Sequence, residues 1–184
     1  MAGLSTDAGK IVEGIDGLAA AILAKRPAME AVIKPFAAVF RRQALVVAAL
    51  EAEIGLEGLN LYDNRRPTGA PLLVGASLDS INSALQGAWI GLMPALKSSF
   101  PVLAPEFEIL ELARDRGDLD LAGLSEEFLA GQGTGFEAAA RAAGLPAGDL
   151  GFVMSFTLAT ALQAATARLT PDLRNYSWTK GCCP

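Results

Sequence analysis

The residue types that could support catalysis are scarce in this chain of 184 residues. It contains no histidine, so no imidazole can act here as a general base, a metal ligand or a member of a catalytic triad. The patterns G-x-S-x-G, G-x-x-x-x-G-K-[ST] and H-E-x-x-H are also missing from the sequence, and the nucleophiles, phosphate loops and zinc sites that they encode are missing with them. We therefore predict a protein that is not an enzyme.

The two cysteines, Cys182 and Cys183, are adjacent and are followed by Pro184. A thiolate followed by proline in a tight turn, with a second cysteine about three positions later, is how small metal knuckles present sulfur to zinc or iron. Cys183-Pro184 matches the first half of such a turn, and the second half would lie beyond residue 184. On these residues alone, a metal site and a tail with two incidental thiols remain equally open.

Two clusters of small or acidic residues have simpler explanations than ligand binding. The run Gly131-Gln132-Gly133-Thr134-Gly135 resembles a phosphate loop, but a predicted helix precedes it and its spacing differs from the dinucleotide fingerprint, so we interpret it as a helix C-cap and connector. Asp115, Asp118 and Asp120 surround Gly117 without the closing Glu of a calcium loop. We expect a turn there, with Asp118 capping the next helix.

The remaining charged groups are interpreted as solvated helix faces. Glu108, Glu111 and Asp115 share one face of a predicted helix, but arginines are interleaved with them, which favours a self-paired surface. Arg41 and Arg42 are adjacent in the middle of a predicted helix. They could meet a carboxylate, although adjacent arginines on a helix most often face solvent.

Composition restricts the class of protein further. The net charge is −5, and hydrophobic residues make up 52% of the chain against 19% charged residues. An acidic chain does not attract phosphate backbones, and a chain this apolar is not intrinsically disordered. We expect no signal peptide, and we expect the apolar run 150–167 to fall short of a membrane span and to form a buried core helix. Together with the sparse cysteines, this predicts a cytoplasmic protein.

Hydrophobic spacing predicts an all-α bundle of about seven helices. Ile11, Ile15, Leu18 and Ile22 form one helical stripe, with a cap among residues 5–7 and a stop at Lys25-Arg26-Pro27. The further helices are predicted at 28–54, where Pro35 must kink or divide the helix, and at 77–98, 106–116, 119–130, 135–143 and 149–169. We assign residues 1–172 to a helical domain and residues 173–184 to a linker that begins a cysteine-rich module.

The final residues resemble a known junction. Trp178-Thr179-Lys180-Gly181-Cys182-Cys183-Pro184 is similar to the W-x-x-G-x-C-P-x-C-G motif of the formate dehydrogenase accessory protein family. In that family the motif joins a helical domain to rubredoxin-like modules. Trp178, Gly181, Cys183 and Pro184 match it, whereas Gln163 stands where family members often have a proline.

The resemblance implies a cytoplasmic maturation chaperone that binds the catalytic subunit of formate dehydrogenase. It also implies that Cys183 is a ligand for iron, or zinc, in a module that continues beyond this chain, so that no metal is expected on the chain itself. Arg174, Tyr176 and Trp178 are the candidate partner-binding residues, because arginine and aromatic side chains concentrate binding energy at interfaces. The alternative for Trp178 is that it only docks the tail onto the bundle.

A function of a different class would be a helical domain that binds a small molecule. Its apolar pocket would be formed by five aromatic residues: Phe36, Phe40, Trp89, Phe152 and Phe156. Their spacing is also that of ordinary helical core residues, so packing is the stronger expectation. An enclosed cavity with convergent polar groups would favour the ligand-binding alternative.

Overall fold

The fold is an all-α bundle, as the spacing of apolar residues predicts. A computed structural model describes residues 7–51, 54 and 78–173, and these contain helices and no strand. The helices are α1 (Ala8–Lys25), α2 (Glu30–Glu51), α3 (Asn82–Ser99), α4 (Ala104–Asp115), α5 (Leu121–Leu129), α6 (Thr134–Ala142) and α7 (Ala147–Leu173). Single turns of 3-10 helix at Pro27–Met29, Asp79–Ile81 and Pro101–Leu103 lead into α2, α3 and α4.

Local side-chain chemistry sets several helix ends. The Asp7 carboxylate caps α1 by accepting the Lys10 N–H at 3.3 Å, within the predicted capping region. Asp120, and not the predicted Asp118, caps α5 by accepting the Gly123 N–H at 3.1 Å. Asp118 instead accepts from Arg116 Nε at 2.9 Å. It lies two residues too early to reach the first amides of α5.

Pro35 was predicted to kink or divide the second helix, and of these two outcomes the structure excludes division. Pro35 lies inside α2, which is continuous from Glu30 to Glu51. Pro35 is the sixth residue of the helix, so its missing N–H removes a single bond, the one to the carbonyl of Ala31. Burial of the rest of α2 against α1, α3 and α7 outweighs that loss.

The core lies between α2, α3 and α7. Its fully buried large side chains include Trp89, Leu92 and Met93 from α3 and Leu150 and Met154 from α7. Helix α3 alone buries seven residues. These three helices are therefore the part of the molecule against which the others pack.

Helix α2 approaches α3 closely because glycine lies at the contact. A Cβ atom at Gly91 would lie 2.7 Å from Val46 Cγ2, and one at Gly87 would lie 2.6 Å from Leu50 Cδ2. Both distances are shorter than carbon atoms can adopt without displacement. Gly87 and Gly91 are four residues apart and share one helix face, and this face allows the two backbones to approach.

Helix α7 (Ala147–Leu173) is longer than the apolar run 150–167 from which it was predicted. Its segment Ala147–Arg168 is long and apolar enough to cross a membrane by length and composition alone, with 50% of its most apolar window buried. The expectation that it falls short of a membrane span was therefore wrong in length. In this fold it packs against α2, α3 and α6, and the hydroxyls of Thr157 and Thr160 donate to carbonyls four residues earlier. These contacts make it a core helix of the bundle.

Helix α1 lies at the periphery. Ala19 is its buried residue, whereas Ile11 and Leu18 of the predicted apolar stripe are 42% and 64% exposed. The stripe is therefore only partly covered by the described part of the chain.

Candidate functional site

The residues that sequence reasoning placed at a functional site lie outside the described part of the chain. These are the candidate metal ligand Cys183 with its neighbour Cys182, and the candidate partner-binding residues Arg174, Tyr176 and Trp178. The described chain ends in α7, at Leu173. The site that can be built from described residues is consequently a different one.

Four of the five aromatic residues proposed to form a pocket instead pack against one another. Phe36 contacts the rings of Phe40, Phe152 and Phe156 at centroid distances of 6.3, 6.5 and 6.4 Å. Phe100 joins this cluster at 5.2 Å from Phe36. Edge-to-face and tilted contacts of this kind are ordinary aromatic packing. These rings therefore stabilise the junction of α2, α3 and α7.

Trp89 belongs to the core rather than to that cluster. It is 1% exposed, and its Nε1 atom has no hydrogen-bond partner among the described residues. A buried indole N–H without an acceptor reduces stability. Among the ring contacts of the described residues, none involves Trp89, so it does not join the four phenylalanines in one pocket.

An apolar groove lies between α1, α2 and α7. It encloses about 370 Å³ and is open to solvent on one side. Its walls are formed by Ile11, Ile15, Phe40, Gln43, Ala44, Val47, Gln163 and Ala167. This volume lies at the lower end of the range for small-ligand sites, about 300–1,000 Å³.

The polar groups of the groove are few and uncharged. Gln43 is 6% exposed and lies on the α2 side, and Gln163 contributes a second amide from α7. Two amides can donate to and accept from a ligand or a peptide backbone. The groove therefore offers amide hydrogen bonds together with apolar contact.

The adjacent arginines of α2, Arg41 and Arg42, bind residues of two different helices. Arg41 Nε donates to the Asp16 carboxylate of α1, and Arg42 Nε donates to the Gly91 carbonyl of α3 at 2.7 Å. Asp16 is therefore the carboxylate partner of Arg41, which the sequence alone did not identify. Both arginines face the surface, yet each of them bridges to another helix.

The glycine-rich run is a helix connector, as predicted. Gly131 has φ +68° and follows the end of α5, which is the left-handed position that favours glycine after a helix. At the start of α6, the Gly135 N–H donates to the Glu127 carboxylate at 2.7 Å. The Glu127 carboxylate therefore already accepts the hydrogen bond from an amide that a bound phosphate would need.

The acidic face of α4 is self-paired, as predicted, only at Asp115, because the partner of Glu111 lies on α3. Glu111 accepts from Lys97 Nζ at 2.7 Å, which raises the pKa of Lys97, and Asp115 is bound by Arg114. Among the described residues, no group of three His, Cys, Asp or Glu side chains could hold a metal ion.

The sequence alone does not reveal the groove, because its walls come from three helices far apart in the chain. The available signal was the α1 stripe: Ile11 and Ile15 were identified as one face, but no sequence pattern shows whether a face is covered. Comparison with known proteins supplies no further guide, because no family model, curated protein or solved structure matches this chain.

Proposed function

We propose that this chain is the recognition domain of an assembly factor that binds the catalytic subunit of formate dehydrogenase during its maturation. The observation that carries the proposal is the sequence Trp178-Thr179-Lys180-Gly181-Cys182-Cys183-Pro184 placed directly after the helical body. The all-α architecture of residues 7–173 supports it, because the family it resembles has a helical domain in this position.

The chemistry of the described residues fits a binding role. The groove between α1, α2 and α7 has apolar walls and two amides, which can contact the side chains and the backbone of a polypeptide. In this proposal Arg174 and Tyr176 contact the client beside the junction.

The metal site of the proposal would depend on Cys183. Zinc and iron in cysteine-rich modules take four ligands, and two adjacent cysteines cannot complete that set. The iron or zinc would therefore belong to a module that continues the motif, and client binding by the helical domain can be tested without it.

The experiment is capture of the purified formate dehydrogenase catalytic subunit by this chain under anaerobic, reducing conditions. We expect the wild-type chain to retain the client and the variants Arg174→Ala and Tyr176→Ala to retain less. Arg168→Ala is the matched control, because Arg168 is exposed on α7 six residues before Arg174. Wild-type protein that retains no client would refute the proposal.

A small-molecule-binding function is the second candidate, and the apolar groove of about 370 Å³ favours it. It predicts saturable binding of an apolar ligand that is abolished by substitutions in the groove walls. A screen of apolar ligands against wild type and Ile15→Asp tests it by calorimetry. Binding that Ile15→Asp leaves intact would exclude the groove as the site.

A further inference from the structure

The apolar groove lies at one end of the bundle. Helices α1 and α2 are joined by the short connection at residues 26–29, so the end of α2 lies beside the start of α1. Ile11 is near the start of α1, Val47 is near the end of α2, and Ala167 is in the last third of α7. The groove is thus at the end of the bundle where α7 leads into residues 174–184.

The groove walls leave large apolar side chains in water. Ile11 is 42% and Phe40 43% exposed, while the residues on the groove floor, Ala44 and Val47, are 6% and 5% exposed. Covering an exposed concave apolar surface of this kind with an apolar or aromatic group is favourable, because it removes apolar area from water.

The segment 174–184 has the reach to cover it. Helix α7 extends six residues beyond Ala167, which is about 9 Å at 1.5 Å per residue. The five residues from Arg174 to Trp178 span up to about 16 Å when extended. A chain that turns back after Leu173 therefore brings Trp178 level with the groove.

The segment also has the chemistry to cover it. It contains the aromatic residues Tyr176 and Trp178, and its charged side chains are Arg174 and Lys180, without any carboxylate side chain. The chain as a whole carries a net charge of −5. The segment is therefore opposite in charge to the rest of the protein.

We propose that the groove between α1, α2 and α7 binds this chain's own segment 174–184, with the Trp178 indole against Ile11, Ile15 and Phe40. The docked segment covers the exposed apolar walls, and the Gln43 and Gln163 amides are placed to bond the polar atoms of the segment. The inference does not depend on the formate dehydrogenase client, since it concerns contacts within one chain.

Tryptophan fluorescence tests this contact, because the chain contains two tryptophans and Trp89 is buried. In a Trp89→Phe background, Trp178 is the sole emitter. We expect blue-shifted emission and protection from acrylamide quenching, and we expect Ile11→Asp to shift the emission to the red and to raise the quenching constant. Subtracting the spectrum of Trp178→Phe from that of wild type gives the same readout without altering the core.

Ile109→Asp is the matched control. Ile109 is 39% exposed on α4, close to the 42% of Ile11, and it does not line the groove. The control should leave Trp178 emission unchanged. Emission typical of a solvated indole in the parent protein would overturn the proposal, and so would emission that Ile11→Asp and Ile15→Asp both leave unchanged.

Two further measurements distinguish the other possible occupants. Sedimentation equilibrium showing a dimer that Ile11→Asp dissociates, with Trp178 solvated, would assign the groove to a second copy and overturn the proposal. The dye 8-anilinonaphthalene-1-sulfonate should bind Trp178→Ala more than wild type, because the docked segment excludes it. Equal dye binding by the two proteins at the groove would mean that Trp178 does not occupy it.

Discussion

Helix α2 packs against α1 and against α3 in different ways. Towards α3, Val46 and Leu50 lie directly over Gly91 and Gly87, and the neighbouring helix buries seven residues. Towards α1, the neighbouring helix buries Ala19 and leaves an open groove. One helix therefore forms a closed interface on one side and an incomplete one on the other.

Glycine has a different role in α3 than in α1. Gly87 and Gly91 of α3 allow close backbone approach, whereas a Cβ atom at Gly14 or Gly17 of α1 would meet nothing within 4 Å. Glycine lowers the stability of a helix interior unless packing requires it. The glycines of α3 are compensated by packing, and those of α1 are not.

The largest expected difference between the two sides comes from truncating a leucine on each. Leu92→Ala, at a fully buried position of α3, should lower the free energy of unfolding by about 2–5 kcal/mol, because it leaves a cavity. Leu18→Ala, at a 64% exposed position of α1, should change it by less than about 0.5 kcal/mol. Urea denaturation measures both, and equal losses would contradict the comparison.

The glycine contrast predicts effects of opposite sign. Gly91→Ala should lower the free energy of unfolding by about 1–3 kcal/mol through overpacking against Val46, partly offset by about 1 kcal/mol of helix propensity. Gly14→Ala, which meets open space, should raise it by about 0.5–1 kcal/mol.

A double-variant cycle identifies the cause of the Gly91 effect. Adding Val46→Ala should recover part of the loss in Gly91→Ala, because Val46 holds the methyl groups that the new Cβ would meet. Purely additive free energies would show that the two residues do not interact.

The ion pair between α1 and α2 should have a local effect. Asp16→Asn removes the partner of Arg41, whose side chain is 43% exposed, and should cost at most about 1 kcal/mol. Because α1 has few buried contacts, its amides should exchange faster in the variant while those of α3 are unchanged. Hydrogen exchange measured by mass spectrometry checks this, and faster exchange in α3 as well would contradict it.

The smallest effect concerns the pair that joins α3 to α4. Glu111 raises the pKa of Lys97 above its ordinary value of 10.5, so the pair adds stability at pH values below 10.5 and loses it as the pH rises through the raised pKa. Glu111→Gln should therefore cost less than about 1 kcal/mol at neutral pH. The cost should vanish at pH values above the raised pKa in urea titrations, and a cost that persists there would contradict the assignment.

Local signals in the sequence were sufficient for the helices. Apolar residues at three- and four-residue spacing predicted seven helical segments, and Asp7 and Lys25-Arg26-Pro27 bounded the first of them where the structure does. The prediction failed where two local signals compete. Asp118 and Asp120 are both suitable caps, and the position of the α5 backbone selects Asp120.

What the sequence by itself determined is the all-α class and the position of most helix ends, because a cap or a turn acts on backbone atoms within about four residues. What only the tertiary structure decided is which faces meet. Asp16 is 25 residues from Arg41, and Gly91 is 49 residues from Arg42, so no local pattern pairs them. The open groove follows for the same reason, since an apolar stripe is the same sequence whether or not another helix covers it.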